Sequence, residues 1–465
     1  MPDDPPPPTF PLTRDQFAEA LAKGLGRAHL HLQRHGGAGL EDLVLDACLH
    51  ERAYDPQCEE DRGHWLAALT SAAGLEGAIL PALVESLRGL GDVGEWDRFH
   101  RCSVAAQFAA RSHNAAREAL YAAFRESIER DDPVGASDII ALDGAEGLIA
   151  VADALGQRLR TNPELEVGEW RLAWFDKKAG PGNGRAILER AASGNPAIRR
   201  YLEHVELATR EERPPRPMPS LAEIVAAIDD PCTSFRSHKL RRWSRRASEN
   251  DLEVIANRLR AGSEPTALQK CLMCFERRPY APLLSRFLEL AGHANVDVRR
   301  AAVAALSQIT HGEVRALALR RVEAVRITDG ELRLFATNYS PGDELRFLRP
   351  MVVLPPAADD RHRVGLDILS VFEQNPAAVA RPCMLWLYTL TPCSMCRNDA
   401  VRILLAQGRA PAWLIEEAQF DVDNGTRALC HAARTDGTRP THRNGWITRV
   451  WMKIQLKPLR LRACC

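Results

Sequence analysis

The sequence feature that most constrains the fold is a striped segment at residues 291–323. Its stripe consists of Val298, Ala302, Ala305, Leu306 and Ile309. These small and aliphatic residues recur at the spacing of one helical face. Asn295 stands before the stripe, where its side-chain oxygen can accept backbone N–H groups of the first turn. The segment therefore predicts an N-capped amphipathic helix with the pattern Asn-x-x-Val-Arg.

The same pattern recurs downstream as Asp-x-x-x-Arg, beginning at Asp329, Asp359 and Asp423. Cys396-Arg397 fits a further copy, with Cys393 in the capping position. The positions equivalent to Val298 are Leu332, His362, Cys396 and Thr426, and the steps between them are 34, 30, 34 and 30 residues. A step of about 32 residues is close to two short helices and two turns, which is typical of a helical repeat. Upstream, Glu264 begins a similar copy without the arginine.

This pattern resembles HEAT repeats, which are helical hairpins that stack into solenoids. The residues that match the second-helix signature of that family are Asn295, Val298, Arg299, Ala302, Ala305 and Leu306. The resemblance implies an all-α fold, an α-solenoid of stacked antiparallel helical hairpins. It also implies that the recurrent Asp and Arg are structural, because in HEAT repeats they cap turns and pair between neighbouring copies. The resemblance is sharpest at 291–323, extends over 264–435 and is weakest before 212.

The length of the chain favours a protein built from two halves or from repeats. At 465 residues the chain exceeds what one ordinary core sustains, whereas a solenoid can grow by adding copies.

Lys plus Arg and Asp plus Glu both total 61, so net charge gives no overall attraction to nucleic acid or acidic lipid. We expect no membrane span and no secretory signal, because long apolar runs are missing and the start is acidic and proline-rich. The 12 scattered cysteines favour a cytoplasmic location.

The clearest boundary in the chain is its proline-rich stretch, because proline cannot continue a helix. Four prolines lie within residues 214–219. We predict a disordered lead at 1–11, a divergent HEAT-like helical domain at 12–212, a linker at 213–219, a HEAT-like repeat domain at 220–435 and a basic tail at 436–465. Within the divergent domain, residues 13–36 and 40–55 are each predicted to form one helix, and Asn195 begins a weaker copy of the pattern.

Two Cys-x-x-Cys pairs, Cys271 with Cys274 and Cys393 with Cys396, raise the hypothesis of a zinc site, since four thiolates satisfy a tetrahedral ion. The pairs are 119 residues apart, and both lie on predicted repeat helices where small apolar residues are needed. Core packing is therefore the favoured interpretation. Cys383 could bring a third thiolate to Cys393 and Cys396, which leaves a local metal or redox site open. We predict no metal site and no cofactor.

Other candidate sites have simpler interpretations. Four residues of ligand type occur close together, namely Cys48, His50, Cys58 and His64. Their spacing matches no zinc finger, and Cys48 fits an apolar stripe. HEAT-like hydroxylases that hold two irons use several His-Glu pairs, whereas this chain has one such pair, at His50. The glycine-rich loop at 180–184 lacks the preceding strand and following Lys-Ser/Thr of a phosphate loop. No catalytic residue is predicted, and a non-enzyme is favoured.

The candidate binding residues lie in a basic segment at 231–246 that contains no acidic residue. They are Arg236, Lys239, Arg241, Arg242, Trp243, Arg245 and Arg246. A row of cations with an aromatic residue could follow a phosphate backbone, and HEAT-like DNA glycosylases hold DNA on such a surface. Acidic residues flank the segment on both sides, so a solvated helix that pairs with its neighbours explains the charges as well.

Two functions are therefore in view. The first is a non-enzymatic scaffold or adaptor that binds a protein partner on a solenoid surface. The alternative is a nucleic-acid-binding, possibly DNA-repair-like, HEAT protein that uses the cluster at 236–246. Neither the partner nor the oligomeric state follows from the sequence.

Overall fold

The computed structural model describes residues 4–59, 61–131, 133–165, 167–210, 218–230, 237–325, 327–353 and 357–435. Within these ranges the regular structure consists of twenty-five α-helices and a few 3-10 turns, with no strand. The predicted all-α class is confirmed. None of the described helices combines the length and the hydrophobicity that a membrane span requires.

The helices that precede the proline-rich stretch are α1 (Arg14–Lys23), α2 (Gly26–His35), α3 (Glu41–Leu49), α4 (Arg62–Ala72), α5 (Glu76–Ser86), α6 (Glu95–Ala110), α7 (Asn114–Glu129), α8 (Ala136–Thr161), α9 (Trp170–Ala179), α10 (Asn183–Ala192) and α11 (Pro196–Arg210). Those that follow it are α12 (Leu221–Asp229), α13 (Ser237–Ser244), α14 (Glu249–Ala261), α15 (Pro265–Met273), α16 (Leu284–Leu290), α17 (Val296–Leu306), α18 (Gly312–Glu323), α19 (Phe335–Asn338), α20 (Asp343–Val352), α21 (Ala358–Gln374), α22 (Arg381–Leu390), α23 (Ser394–Ala406), α24 (Ala412–Ala418) and α25 (Asn424–Thr435).

The chain forms two compact units. Unit 1 comprises Met1–Pro7 and Pro215–Ala410, and unit 2 comprises Pro8–Pro214 and Pro411–Cys465. Helices α24 and α25 continue the repeat spacing in sequence, but in the structure they belong to unit 2. Residues 436–465, which include the predicted basic tail, lie outside the described residues.

Helix α17 of unit 1 begins as the sequence predicts. The side-chain oxygen of Asn295 accepts hydrogen bonds from the backbone N–H groups of Asp297 and Val298, at 2.9 and 3.2 Å. Val298 and Leu306 are fully buried, and α17 packs against α15 and α16. The copy at 332 is different, because a 3-10 turn at Glu331–Leu334 and the short helix α19 replace a full helix.

Alternate elements of unit 1 are spatial neighbours. Helices α15 and α17, the 3-10 turn with α19, and then α21 and α23 each contact the next in that order. In a second series, α18 contacts α20, and α20 contacts α22. The helices that carry the repeated pattern are therefore neighbours in chain order.

Charged pairs join positions of unit 1 that are about one copy apart. The Nε atom of Arg299 lies 2.9 Å from Asp329, which is 30 residues further along the chain. Arg315 donates two hydrogen bonds to Asp343, at 2.7 and 3.0 Å, across 28 residues. The paired, planar geometry at Asp343 is the strong form of this interaction. These pairs connect turns and helices that are far apart in the sequence.

In unit 2, tertiary packing breaks one predicted helix and shortens another. The helix predicted over 13–36 is split at Gly24, which has a positive φ of 68°. A Cβ atom on Gly24 would lie 2.4 Å from the Val422 side chain, so only glycine fits. The prediction of one continuous helix is wrong because α1 and α2 turn around this contact. The helix predicted over 40–55 ends at Leu49, where the backbone becomes extended.

Helices α24 and α25 are anchored in unit 2 by close backbone packing and polar contacts. The indole N–H of Trp65 donates to the Phe420 carbonyl at 2.7 Å, and Arg27 lies 2.8 Å from the fully buried Glu417 carboxylate. A Cβ atom on Gly26 would lie 1.9 Å from the carbonyl oxygen of Glu417. The first residue of α2 must therefore be glycine.

We predict that Gly26→Ala destabilises the full chain by at least about 3 kcal/mol, because the added methyl group meets backbone that cannot move independently. The matched control is Gly77→Ala in α5, where nothing lies within 4 Å of the added atom. Alanine should raise the stability of that helix by roughly 0.5–1 kcal/mol. Thermal unfolding of both variants checks the prediction. Equal melting temperatures for the two variants would contradict the packing of 411–435 against α2.

Candidate binding groove

The described part of the predicted basic cluster lies on α13 and the turn after it. Arg236 lies outside the described residues. Trp243 is only 5% exposed and packs inward, so its ring is not available for stacking on a base. Lys239 and Arg241 are half-buried. Arg242, Arg245 and Arg246 are exposed. The predicted binding residues thus divide between the core and the surface of unit 1.

A groove of about 290 Å³ runs across unit 1 beside this cluster. It is lined by side chains of α13, α15, α17, α21 and the turn before Leu334. All of these elements except α13 carry the repeated pattern. Six of the seven predicted binding residues are described by the structure, and of these six only Arg241 lines the groove.

The lining of the groove carries both signs of charge. Its charged residues are Arg241, Arg300, Arg333 and Arg363, with Glu276, Asp297, Asp329 and Asp367. Several of them pair across elements, since Arg241 bonds to Glu276 and the Nε atom of Arg300 lies 3.2 Å from Asp329. Apolar side chains such as Met273, Ala301 and Ala304 lie between them. The groove therefore offers a nearly neutral, mixed surface to a ligand.

Positive charge is in excess beside Arg241, at the α13 end of the groove, although the residues that supply it do not line the groove. Arg277 follows Glu276 and reaches solvent, as Arg245 does. Loss of hydration beside the surrounding side chains lowers the pKa of Arg277, and the nearby guanidinium groups of Arg245 and Arg241 lower it further. Crowded cations of this kind gain free energy when an anion binds among them. The sequence analysis did not single out Arg277, because it lies outside the run of basic residues at 231–246.

A buried carboxylate lies in the same groove. Asp367 of α21 is fully buried, and its oxygen is 3.0 Å from the guanidinium of Arg333. Burial raises the pKa of Asp367, and the positive charges of Arg333 and Arg363 oppose that shift. Like the other charged pairs of unit 1, this pair joins residues that are separated in the sequence by about the length of one repeat.

A second buried acid, Glu331, lies in the turn beside the groove. It is 3% exposed, and its carboxylate accepts a hydrogen bond from the Asp329 backbone N–H at 2.9 Å. Burial raises the pKa of Glu331 to about 7. The carboxyl group therefore changes charge near neutral pH in a turn that also carries Asp329, the partner of Arg299 and Arg300.

The ligand-type residues of the N-terminal part are not brought together. Cys48 is fully buried in unit 2, His50 bonds to Asp46 at 2.9 Å, and His64 lies 3.1 Å from the Gln107 side chain. Cys58 donates to Asp55 at 3.2 Å. Each residue thus has its own local surroundings, and they share no site.

The glycine-rich loop at 180–184 is closed by its own helix. The carboxylate of Asp176 accepts hydrogen bonds from the backbone N–H groups of Gly182 and Gly184, at 2.8 and 2.7 Å. These donors are therefore already satisfied by an acid, which disfavours a bound phosphate. The loop is a helix-to-helix connection in this structure.

The two Cys-x-x-Cys pairs differ in their surroundings. Cys271 and Cys274 are buried at the end of α15, where burial raises the pKa of both thiols. At the start of α23, Cys393 and Cys396 lie beside His362 of α21, and the ligand atoms of all three are within 4.8 Å of one another. A hydrogen bond with Cys396 lowers the pKa of Cys393, and His362 contributes to the same shift.

Cys383, which the sequence offered as a third thiolate, does not join this group. Its sulfur donates to the Glu344 carbonyl at 3.4 Å instead, and burial raises its pKa. The third member of the group is His362, which the sequence analysis noted only as a repeat position. Among the described residues, no other set of three or more His, Cys, Asp or Glu side chains converges in this way.

Comparison with known proteins gives no relative for this chain. No family model matches it, and no curated protein or solved structure shows significant similarity.

The pKa of Glu331 predicts a pH-dependent stability. The folded chain binds this proton more tightly than the unfolded chain, whose carboxyl group has the ordinary pKa of 4.5. The stabilising contribution is therefore complete below pH 4.5 and is lost as the pH rises through about 7. The loss amounts to about 3 kcal/mol.

Glu331→Gln cannot ionise, so it should escape this loss. We expect the variant and the wild-type chain to have similar unfolding free energies near pH 4.5. At pH 8 the variant should be more stable by about 3 kcal/mol. Denaturant unfolding at both pH values measures the difference. A difference that does not change with pH would show that Glu331 titrates normally.

Proposed function

We propose that this protein is a non-enzymatic interaction protein of the HEAT-like, α-solenoid type, which binds an extended segment of a protein partner in the groove of unit 1. The solenoid assignment is supported by the two series of neighbouring helices and by charged pairs that are about 30 residues apart. Stacked repeats commonly present such grooves to their partners.

The observation that carries the proposal is the mixed lining of the groove. Four carboxylates and four arginines line the groove together with apolar side chains. A polypeptide can match this pattern, because it can offer both charges, backbone hydrogen-bonding groups and apolar side chains together. The positive charge of Arg245 and Arg277, which lie beside Arg241 at the α13 end of the groove, selects a segment with acidic residues at that end.

Nucleic acid is the alternative that the exposed basic residues favour. Arg242, Arg245, Arg246 and Arg277 could contact phosphates at the surface. The carboxylates of the groove oppose this, because surfaces that bind nucleic acid are much more positive. The buried Trp243 also offers no stacking surface. The basic end is therefore better suited to a few carboxylates than to a continuous phosphate backbone.

The test uses a fluorescently labelled peptide of alternating Glu and Ala, its Lys-for-Glu counterpart, and single- and double-stranded DNA and RNA oligonucleotides. The full chain should bind the acidic peptide in a salt-dependent manner and bind the basic peptide more weakly. Arg245→Ala with Arg277→Ala should weaken binding of the acidic peptide about tenfold or more, since each lost charge contact is worth roughly 1 kcal/mol. Arg320→Ala is the control, because Arg320 is an exposed arginine of α18, a helix that contributes no residue to the groove.

Two results would contradict the proposal. One is an affinity for the acidic peptide that is the same in the double variant and in the wild-type chain. The other is binding of an oligonucleotide that is tighter than binding of the peptide and is lost in the same double variant. The second result would establish the nucleic-acid alternative.

A further inference from the structure

The side chains of His362, Cys393 and Cys396 form a compact group inside unit 1. Cys393 is 5% exposed and Cys396 is fully buried, while His362 is half-buried. The Cys396 sulfur lies 3.5 Å from the Nδ1 atom of His362, and all three ligand atoms are within 4.8 Å of one another. Two soft sulfur donors and an imidazole nitrogen therefore face a common point.

These separations match the ligand shell of a tetrahedral zinc ion. Bonds of about 2.3 Å to sulfur and about 2.0 Å to nitrogen, held at tetrahedral angles, place a sulfur and a nitrogen ligand about 3.5 Å apart. The observed distance between Cys396 and His362 equals this value. The other separations in the group are within 4.8 Å, so side-chain movements alone could bring the three ligand atoms around one ion.

The backbone around the two cysteines also suits a metal-bound thiolate. Cys393 is the N-cap residue of α23, and Cys396 lies in the first turn of that helix. Helix N-termini favour negative charge, which stabilises a thiolate at the N-cap position of Cys393. The backbone N–H of Cys393 donates to Thr391 at 3.2 Å, which fixes the turn that leads into the helix. The Cys393 sulfur makes no side-chain capping bond and instead interacts with Cys396 and His362, the two other members of the group.

The three residues come from two successive copies of the repeat. His362 lies on α21 and the cysteines lie at the start of α23, and these two helices are neighbours. His362 and Cys396 occupy the repeat position that Val298 occupies in α17. An ion bound by them would join two successive copies at a place where Val298 contributes only apolar packing.

We propose that His362, Cys393 and Cys396 bind one zinc ion, with water in the fourth position, and that the ion fastens α21 to α23. The site is separate from the proposed peptide groove and does not depend on it. A disulfide between Cys393 and Cys396 is the competing chemistry. The imidazole beside the sulfurs and their burial favour metal binding, because an exchanging disulfide needs access for an external thiol.

The experiment uses the full chain, stripped of metal under reducing conditions and then titrated with zinc or cobalt. We expect about one ion per chain, a thiolate-to-cobalt charge-transfer band, and a zinc-dependent rise in melting temperature. Cys393→Ser, Cys396→Ser and His362→Gln should each lower zinc affinity by about a hundredfold or more and abolish the rise in melting temperature. Cys383→Ser and Cys271→Ser are the matched controls, since both remove a buried thiol outside the group.

The His362→Gln variant keeps the proposal falsifiable if a cysteine variant fails to fold, because His362 is only half-buried. The proposal is overturned if zinc stabilises His362→Gln as much as it stabilises the wild-type chain. It is also overturned if cobalt gives no charge-transfer band. A Cys393–Cys396 disulfide in the native protein, together with no zinc binding after reduction, would assign the pair to redox chemistry instead.

Discussion

The charged pairs between successive copies are the interaction on which the structure of unit 1 depends. Arg299 with Asp329, Arg315 with Asp343, and Arg333 with Asp367 each join residues that lie about one copy apart. Apolar stripes alone would allow one helix to slide by a turn against the next, since small aliphatic side chains fit several alignments. A carboxylate that must meet a guanidinium allows only one of these alignments, because a buried and unpaired charge is costly.

Both candidate sites follow from this alignment. When equivalent positions of successive copies are neighbours, the side chains of α15, α17 and α21 line one groove, to which α13 adds Arg241. The same alignment brings His362 beside Cys396. Neither site belongs to a single helix, so neither could form from one isolated copy.

The sequence predicted those features that depend on local physics. The Asn295 cap and the buried stripe of α17 are confirmed, since capping and helical periodicity act within one segment. The break at Gly24 was missed because its cause, Val422, is almost four hundred residues away in the chain. His362 and Cys396 held equivalent positions in the repeat, which was the available signal for their contact. Cysteine spacing by itself does not indicate a histidine partner 34 residues upstream of Cys396, and no charge pattern marks Arg277.

The most direct test of the account is a double-mutant cycle on Arg315 and Asp343, which contact each other across 28 residues. The unfolding free energies of the full chain, the two single alanine variants and the double variant would be measured. The account predicts a coupling energy of about 1–3 kcal/mol, because the pair is bidentate and Asp343 is buried. Effects that add within about 0.3 kcal/mol would show that the two residues do not interact, and would contradict the alignment of copies on which both sites rest.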